Sequence, residues 1–329
     1  MNCEYEDKVF SVDQEQFEGL ALEIFRFQYT HNDIYRQYVK TLGIVGEKVQ
    51  SLQQVPFLPI QFFKSHKVTT GSFEPEAVFE SSGTTQSIPS RHYVKKLSLY
   101  RESFLRTWNR FYGPPEGTCI IGLLPSYLER NHSSLVVMAD ELIRQSQCPE
   151  SGFYLHDHAK LAATLQQLEQ RQQPTILLGV TFALLDFAAA FPMPLRYTTI
   201  METGGMKGRR KELTRQEVHN LLKDAFKVES IHSEYGMTEL LSQSYSSRDG
   251  IFQTPPWMKV MVRQDDDPFD VRPHGRGVLN VIDLANIWSC AFIATEDIGE
   301  VQPDGSFAVQ GRTDTSDIRG CSLMVADPV

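Results

Sequence analysis

Between residues 118 and 226, short apolar runs alternate with helical patterns, and this alternation constrains the fold more than any other feature of the chain. Residues 118–124, 175–180 and 197–201 read as buried strands. Residues 134–145, 157–170, 182–190 and 214–226 carry helical spacing between and after them, with Glu217 placed to complete a capping box on Thr214. Alternating strands and helices imply crossover connections. The region therefore predicts a parallel, doubly wound α/β sheet.

The flanks read differently. Residues 13–42 are predicted helical, because Phe17, Leu20, Ala21, Ile24 and Phe25 recur at helical spacing and Gly43 provides a stop. Residues 52–63 hold Pro56 and Pro59 among apolar side chains and suit an extended segment. Residues 98–112 read as an amphipathic helix ending at Gly113-Pro114-Pro115. From Trp257 onward, strands at 257–262 and 278–283 follow one another without helices, and Pro303-Asp304-Gly305-Ser306 marks a hairpin. The expected division is an α/β core with a helical N-terminal segment at 1–256. A small antiparallel β subdomain with a C-terminal segment follows at 257–329.

Composition excludes several classes. The net charge of −9 over 329 residues argues against a nucleic-acid binder, which would carry a basic surplus; Lys207-Gly208-Arg209-Arg210-Lys211 reads as a solvated loop. The N-terminus has no signal-peptide pattern. The longest apolar stretch, 181–191, is interrupted by Asp186 and is too short to span a bilayer. Cys3, Cys119, Cys148, Cys290 and Cys321 are spread without zinc spacing, which predicts free thiols in a reducing cytoplasm. The run Asp265-Asp266-Asp267-Pro268 reads as a solvated turn, and His156-Asp157-His158 as a polar helix start without a third metal ligand.

Four segments carry chemistry. Ser81-Ser82-Gly83-Thr84-Thr85-Gln86-Ser87 follows the strand-like Ala77-Val78-Phe79 and gathers hydroxyls and backbone N–H groups that suit an anion such as phosphate. His232-Ser233-Glu234-Tyr235-Gly236-Met237-Thr238-Glu239, Thr295-Glu296-Asp297, and the run 311–320 from Gly311-Arg312 to Arg319-Gly320 come later. Together, and in this order, they resemble the adenylate-forming superfamily of acyl-CoA synthetases, adenylation domains and luciferases. The phrases Leu123-Leu124-Pro125-Ser126-Tyr127-Leu128-Glu129-Arg130 and Arg319-Gly320-Cys321-Ser322-Leu323-Met324 resemble the LuxE-type acyl-protein synthetases within it.

The resemblance implies roles. Ser82, Gly83, Thr84 and Thr85 would hold the triphosphate of ATP. Thr238 would contact the α-phosphate, Glu239 would contribute to a Mg²⁺ site, and Tyr235 with Gly236 would lie against adenine. Gly204 and Gly205 would let adenine approach the backbone, and Asp297 would accept both ribose hydroxyls, with Arg312 alongside. The phosphate loop departs from the family pattern: Gln86 stands where Gly is common, and Ser90 stands where Lys is expected. Arg91, His92, Lys95 and Lys96 are cations that could replace that charge. Tyr127, His132 and Trp257 are pocket candidates. The superfamily's C-terminal lid domain is not expected, since only residues 315–329 follow the hinge-like Asp314. Cys321 matches the cysteine that receives the acyl group in the LuxE type.

The expected activity is ATP-dependent activation of a carboxylic acid, in particular a fatty acid, with transfer of the acyl group to a protein thiol. That thiol would be Cys321 and then a partner reductase or carrier protein. The alternatives are an acyl-CoA ligase of the phenylacetate-CoA type and a non-catalytic nucleotide- or partner-binding remnant. An esterase is disfavoured by the lack of a G-x-S-x-G elbow.

Overall fold

The computed structural model describes residues 4–81, 88–124, 132–155, 157–204 and 213–313. The apolar runs that alternate with helices become strands of one sheet, within a unit formed by Trp108–Tyr235 and Tyr245–Phe252. Its strands lie in the order Gly152–Phe153, Cys119–Leu123, Thr175–Val180, Thr198–Thr203, His232–Tyr235, and each of these pairings is parallel. Every residue of Cys119–Leu123 and Thr175–Val180 is buried. Parallel strands covered on both faces have this character, which is why they appear in sequence as unbroken apolar runs. The helices Ser134–Ser146, His158–Gln170, Thr181–Ala190 and Arg215–Phe226 bury Leu142, Leu165, Phe187 and Phe226. The capping box of Thr214 and Glu217 is formed. The strand expected to stop at Met201 runs on to Thr203, which makes Glu202 a strand residue.

The second unit comprises the described residues up to Thr107, Gly236–Ser244 and Gln253–Thr313. Antiparallel strands follow one another in the order Phe307–Arg312, Phe292–Val301, Gly275–Asp283, Met258–Arg263, Val271–Arg272. The proline-bearing stretch contributes Leu58–Pro59, which pairs in parallel with Phe292–Val301. The expected hairpin is present. Gly305 takes φ +86°, the Gln302 N–H donates to the Ser306 carbonyl at 2.7 Å, and Asp304 Oδ1 accepts from the Ser306 N–H at 2.9 Å.

The division expected at 256/257 is not where the units part. The N-terminal helical segment belongs with the antiparallel sheet, and it is two helices, Phe17–His31 and Asp33–Thr41. Asn32 separates them. Its Oδ1 caps the Tyr35 N–H at 3.0 Å and its Nδ2 donates to the Ser289 carbonyl at 2.9 Å. Gln28, fully buried, donates to the carbonyls of Asn286 and Ile287 at 2.8 and 3.0 Å and accepts from the Ala291 N–H at 2.9 Å. Two helix polar groups thus satisfy a segment more than 250 residues away, and hydropathy periodicity carries no trace of such a contact.

Asp283, at the end of Gly275–Asp283, is fully buried. Its carboxylate accepts from the N–H groups of Leu241 at 2.8 Å, Ser242 at 2.9 Å and Ala285 at 3.1 Å, and from the Ser242 hydroxyl at 2.6 Å. Asp283→Ala would strand these donors away from water at about 1–3 kcal/mol each, partly relieved by hydration. The expected outcome is a fall in denaturant-unfolding stability of about 3–5 kcal/mol. Glu300→Ala, which removes an exposed partner of Arg276, should leave the transition near the parent's.

Candidate active site

The strands on either side of the Ser81–Ser87 motif pair with each other. Strands Ala77–Glu80 and Arg91–Val94 pair antiparallel, with Glu80 opposite Arg91. The Ser81 N–H donates to the Ser90 carbonyl at 3.1 Å and the Ser90 N–H to Ser81 Oγ at 2.9 Å, closing the mouth of the loop. Ser82, Gly83, Thr84 and Thr85 lie outside the described residues, as do Gly205, Tyr127 and Cys321.

Glu239 lies beside that mouth. It is 5% exposed, and burial raises its pKa. A hydrogen bond from Ser90 opposes the shift, as do the more distant charges of Arg312 and Lys64. The Glu239 carbonyl accepts from Asn286 Nδ2 at 2.8 Å. Next to it, the Thr238 carbonyl accepts from His92 Nδ1 at 2.9 Å. In the same unit Asp297, 4% exposed, faces Arg312 across the ladder of Phe292–Val301 and Phe307–Arg312, and Arg312 Nε donates to its Oδ1 at 2.9 Å. The Asp297 N–H donates to Thr295 Oγ1 at 3.1 Å. Two residues on, Gly299 stands at a register shift, where a Cβ would come 2.3 Å from the Ala308 carbonyl oxygen. The structure thus gathers Thr238, Glu239, Asp297 and Arg312 into one unit with the loop hairpin.

The cations expected to replace the missing lysine are otherwise engaged. Arg91 pairs with Glu80 at 3.1 Å, Lys96 with Glu6 at 2.7 Å, and Lys95 lies 3.0 Å from the centre of the Trp288 ring. His92 is buried and neutral, its pKa pushed down to about 4 by burial, with its bond to Thr238 pulling the other way. Lys64 and Arg312 are instead the cations whose charge reaches Glu239. Trp257 is a core residue whose Nε1 donates to Ser242 Oγ at 3.0 Å, and His132 is exposed. Asp157 caps the helix His158–Gln170 through the Lys160 N–H, as its polar start implied. Among the described residues no group of three His, Cys, Asp or Glu could hold a metal by itself. No helix there is long and apolar enough to cross a membrane.

The remaining motif residues lie in the parallel-sheet unit. Gly204 follows the strand Thr198–Thr203 with φ +75°, and its carbonyl accepts from Thr181 Oγ1 at 2.5 Å. Tyr235 ends His232–Tyr235, its ring 5.7 Å from that of Phe252, and the chain continues through Gly236 into the other unit.

Two buried carboxyls beside these residues escaped the sequence reading. Glu202 is opposite Ser233, and Thr203 is opposite Glu234, at the carboxyl ends of neighbouring parallel strands. Burial pushes Glu202 up, but His219, Arg215 and Ser233 more than reverse the effect and leave it below the ordinary value. Burial pushes Glu234 up, the Thr203 hydroxyl pulls it back, and the Glu202 charge raises it again, to about 7. The available signal was the acidic residue preceding the Tyr-Gly motif, which no apolar pattern accounts for.

Solved structures with a similar fold include CoA ligases. One is 2-hydroxyisobutyryl-CoA ligase in complex with 2-HIB-AMP and CoA, which superposes with a TM-score of 0.62 at 14% identity over 94% of this chain and 72% of that one. The fold, α/β with several sheets, resembles the cores of adenylate-forming ligases. The chain belongs to the LuxE family of acyl-protein synthetases, whose family model matches residues 7–329. Two relatives named long-chain-fatty-acid–luciferin-component ligase are similar along most of their length. That of Vibrio harveyi is 25% identical over 92% of this chain and 85% of its own. That of Aliivibrio fischeri is 22% identical over 97% and 90%. This chain is accordingly an enzyme of the ligase class.

Glu234 provides a test of the buried acid pair. A raised carboxyl pKa contributes stability that is complete below the unfolded value of 4.5 and is lost as pH rises through about 7. Glu234→Gln stays neutral throughout. Its stability relative to the parent should climb between pH 5 and pH 8, by about 1–3 kcal/mol. Denaturant unfolding of both proteins at several pH values measures this, and a constant difference would contradict it.

Proposed function

We propose that this ligase activates a long-chain fatty acid with ATP and passes the acyl group through Cys321 to a protein thiol. The observation that carries the reading is the buried Glu239 carboxyl at the closed mouth of the Ser81–Ser90 hairpin, in one unit with the Asp297–Arg312 pair. The family membership supplies the reaction class, and the relatives' names supply the long-chain acid. The acyl-CoA ligase alternative is disfavoured, because the family spanning the chain is one of acyl-protein synthetases.

The donor set suits Mg²⁺, a hard cation that takes oxygen ligands, keeps several waters and binds through one or two carboxylates plus phosphates. Glu239 would hold it, and when bound it would supply charge neutralisation at the phosphates. Ser82, Gly83, Thr84 and Thr85 hold the triphosphate, and Thr238 orients the α-phosphate. Tyr235, Gly236, Gly204 and Gly205 form the adenine surface, and Asp297, held by Arg312, takes the ribose diol. The acid's carboxylate attacks the α-phosphorus, and pyrophosphate leaves with the electron pair of the broken P–O bond. The Cys321 thiolate then attacks the acyl carbon and AMP departs, leaving a thioester. The acyl group moves on to a thiol of a reductase or carrier protein. We place the enzyme in the cytoplasm, where its thiols stay reduced; Cys119, Cys148 and Cys290 are free.

ATP–pyrophosphate exchange with fatty acids of graded length tests the first half-reaction. Glu239→Gln is expected to lower it by two or more orders of magnitude without unfolding the protein, since metal charge stabilisation amounts to several kcal/mol. Unchanged exchange would reassign Glu239 to a structural role. For the second half-reaction, Cys321→Ser should keep exchange and lose a hydroxylamine-labile acyl adduct seen by mass spectrometry. An adduct on another cysteine would overturn the assignment.

A further inference from the structure

We propose that His92 is a positioning residue for adenylate formation, holding the Thr238–Glu239 peptide in place through one directional hydrogen bond. The inference rests on the reading of Glu239 and Thr238 given above. It starts from an anomaly in the strand pattern. Along Arg91–Val94 the side chains alternate, and His92 shares the inward face with Val94. An imidazole therefore stands where an apolar side chain would satisfy the fold, and it is 1% exposed.

Among the described residues His92 has one hydrogen-bond partner. A carbonyl oxygen can only accept, so the 2.9 Å contact to the Thr238 oxygen puts the proton on Nδ1. Nε2 is then a bare acceptor, and it is buried with no hydrogen-bond partner among the described residues. The Phe63 ring meets the imidazole edge-on at 5.8 Å. A buried, unsatisfied nitrogen is destabilising. Leucine would avoid that penalty, so stability alone does not favour histidine here. What histidine adds is the bond to the peptide that joins Thr238 to Glu239.

The chain that follows that peptide is held as well. Asn286 Nδ2 fixes the next carbonyl, that of Glu239, at 2.8 Å, and Asp283 fixes the N–H groups of Leu241 and Ser242. Ser90, two residues before His92, places its hydroxyl on the Glu239 carboxyl. One short stretch of chain leaving the phosphate loop therefore grips both parts of the dyad, Ser90 at the carboxyl and His92 at the backbone. Among the described residues, the charges that reach Glu239 are those of Arg312 and Lys64. His92 is not a proton carrier in this arrangement; it is a fixed neutral donor.

The test measures pyrophosphate exchange at saturating ATP and acid across a Mg²⁺ titration, for the parent, His92→Leu, His92→Asn and His92→Gln. Leucine removes the donor at similar volume, asparagine keeps a donor at the Nδ1 position, and glutamine displaces it by one bond. His92→Leu should lower kcat by about 10- to 100-fold, the scale of a small misplacement of reacting groups. It should also raise the Mg²⁺ half-saturation several-fold and leave the KM for the acid unchanged. Asparagine should recover most of kcat and glutamine should not. Parent-like kcat and Mg²⁺ dependence in His92→Leu would overturn the proposal, as would an asparagine variant as impaired as the leucine one. If His92→Leu fails to fold, equal activity of the asparagine and glutamine variants would overturn it. Glu239→Gln run alongside separates the two readings. If that variant is inactive and His92→Leu is parent-like, only the role of His92 falls; if Glu239→Gln is fully active, both fall.

Discussion

The segment after the Tyr-Gly-x-Thr-Glu motif depends on the buried carboxylate of Asp283. Among the described residues four donors converge on it, three from backbone and one from Ser242, and its full burial keeps it from bulk solvent. The cluster pins residues 241 and 242 to the end of Gly275–Asp283, and Asn286, three residues on, fixes the Glu239 carbonyl. Ser242 also receives the Trp257 N–H, which ties the same turn into the core. The Glu239 carboxyl stays buried because the backbone bearing it is held firmly. Otherwise it would rotate toward water and recover its hydration.

Glu202, Glu234, Glu239 and Cys290 are all buried, but their neighbours give burial different outcomes. Glu202 is held ionised because His219, Arg215 and Ser233 outweigh its desolvation. Glu234, on the next strand, has the Thr203 hydroxyl on one side and the Glu202 charge on the other, and it retains its proton to near neutrality. Glu239 is raised by burial, with Ser90 and two more distant cations only partly compensating. Cys290 is the limiting case: fully buried, with its thiol pushed up to about 12, it is chemically inert packing.

Much of the architecture was legible because the physics behind it is local. The strand Thr175–Val180, the helix Arg215–Phe226 with its capping box and the hairpin at Gly305 follow from apolar runs, helical spacing and turn chemistry, each confined to a few neighbouring residues. Asp297 and Arg312 were identified by motif, and the ladder brings them together. The cations around Ser90 were misjudged for a physical reason: nearness in sequence does not reveal which acid claims each one, and Glu80 and Glu6 do so for Arg91 and Lys96. His92 was counted as a cation because its charge depends on burial, which a strand's sequence does not specify.

The sequence by itself determined the α/β class, the order of the elements, the adenylate-forming motifs and the LuxE resemblance. These reside in residue identity and short-range spacing, where hydrophobic periodicity and turn preferences act. Only the tertiary structure decided that the N-terminal helices belong with the antiparallel sheet, through Gln28 and Asn32. It also decided that Ser90 and His92 grip the Glu239 turn, and that Glu202 is held below and Glu234 above the ordinary carboxylate value. Those outcomes depend on hydrogen bonds and desolvation between residues distant in the chain, and such energies come into being only once the strands are packed.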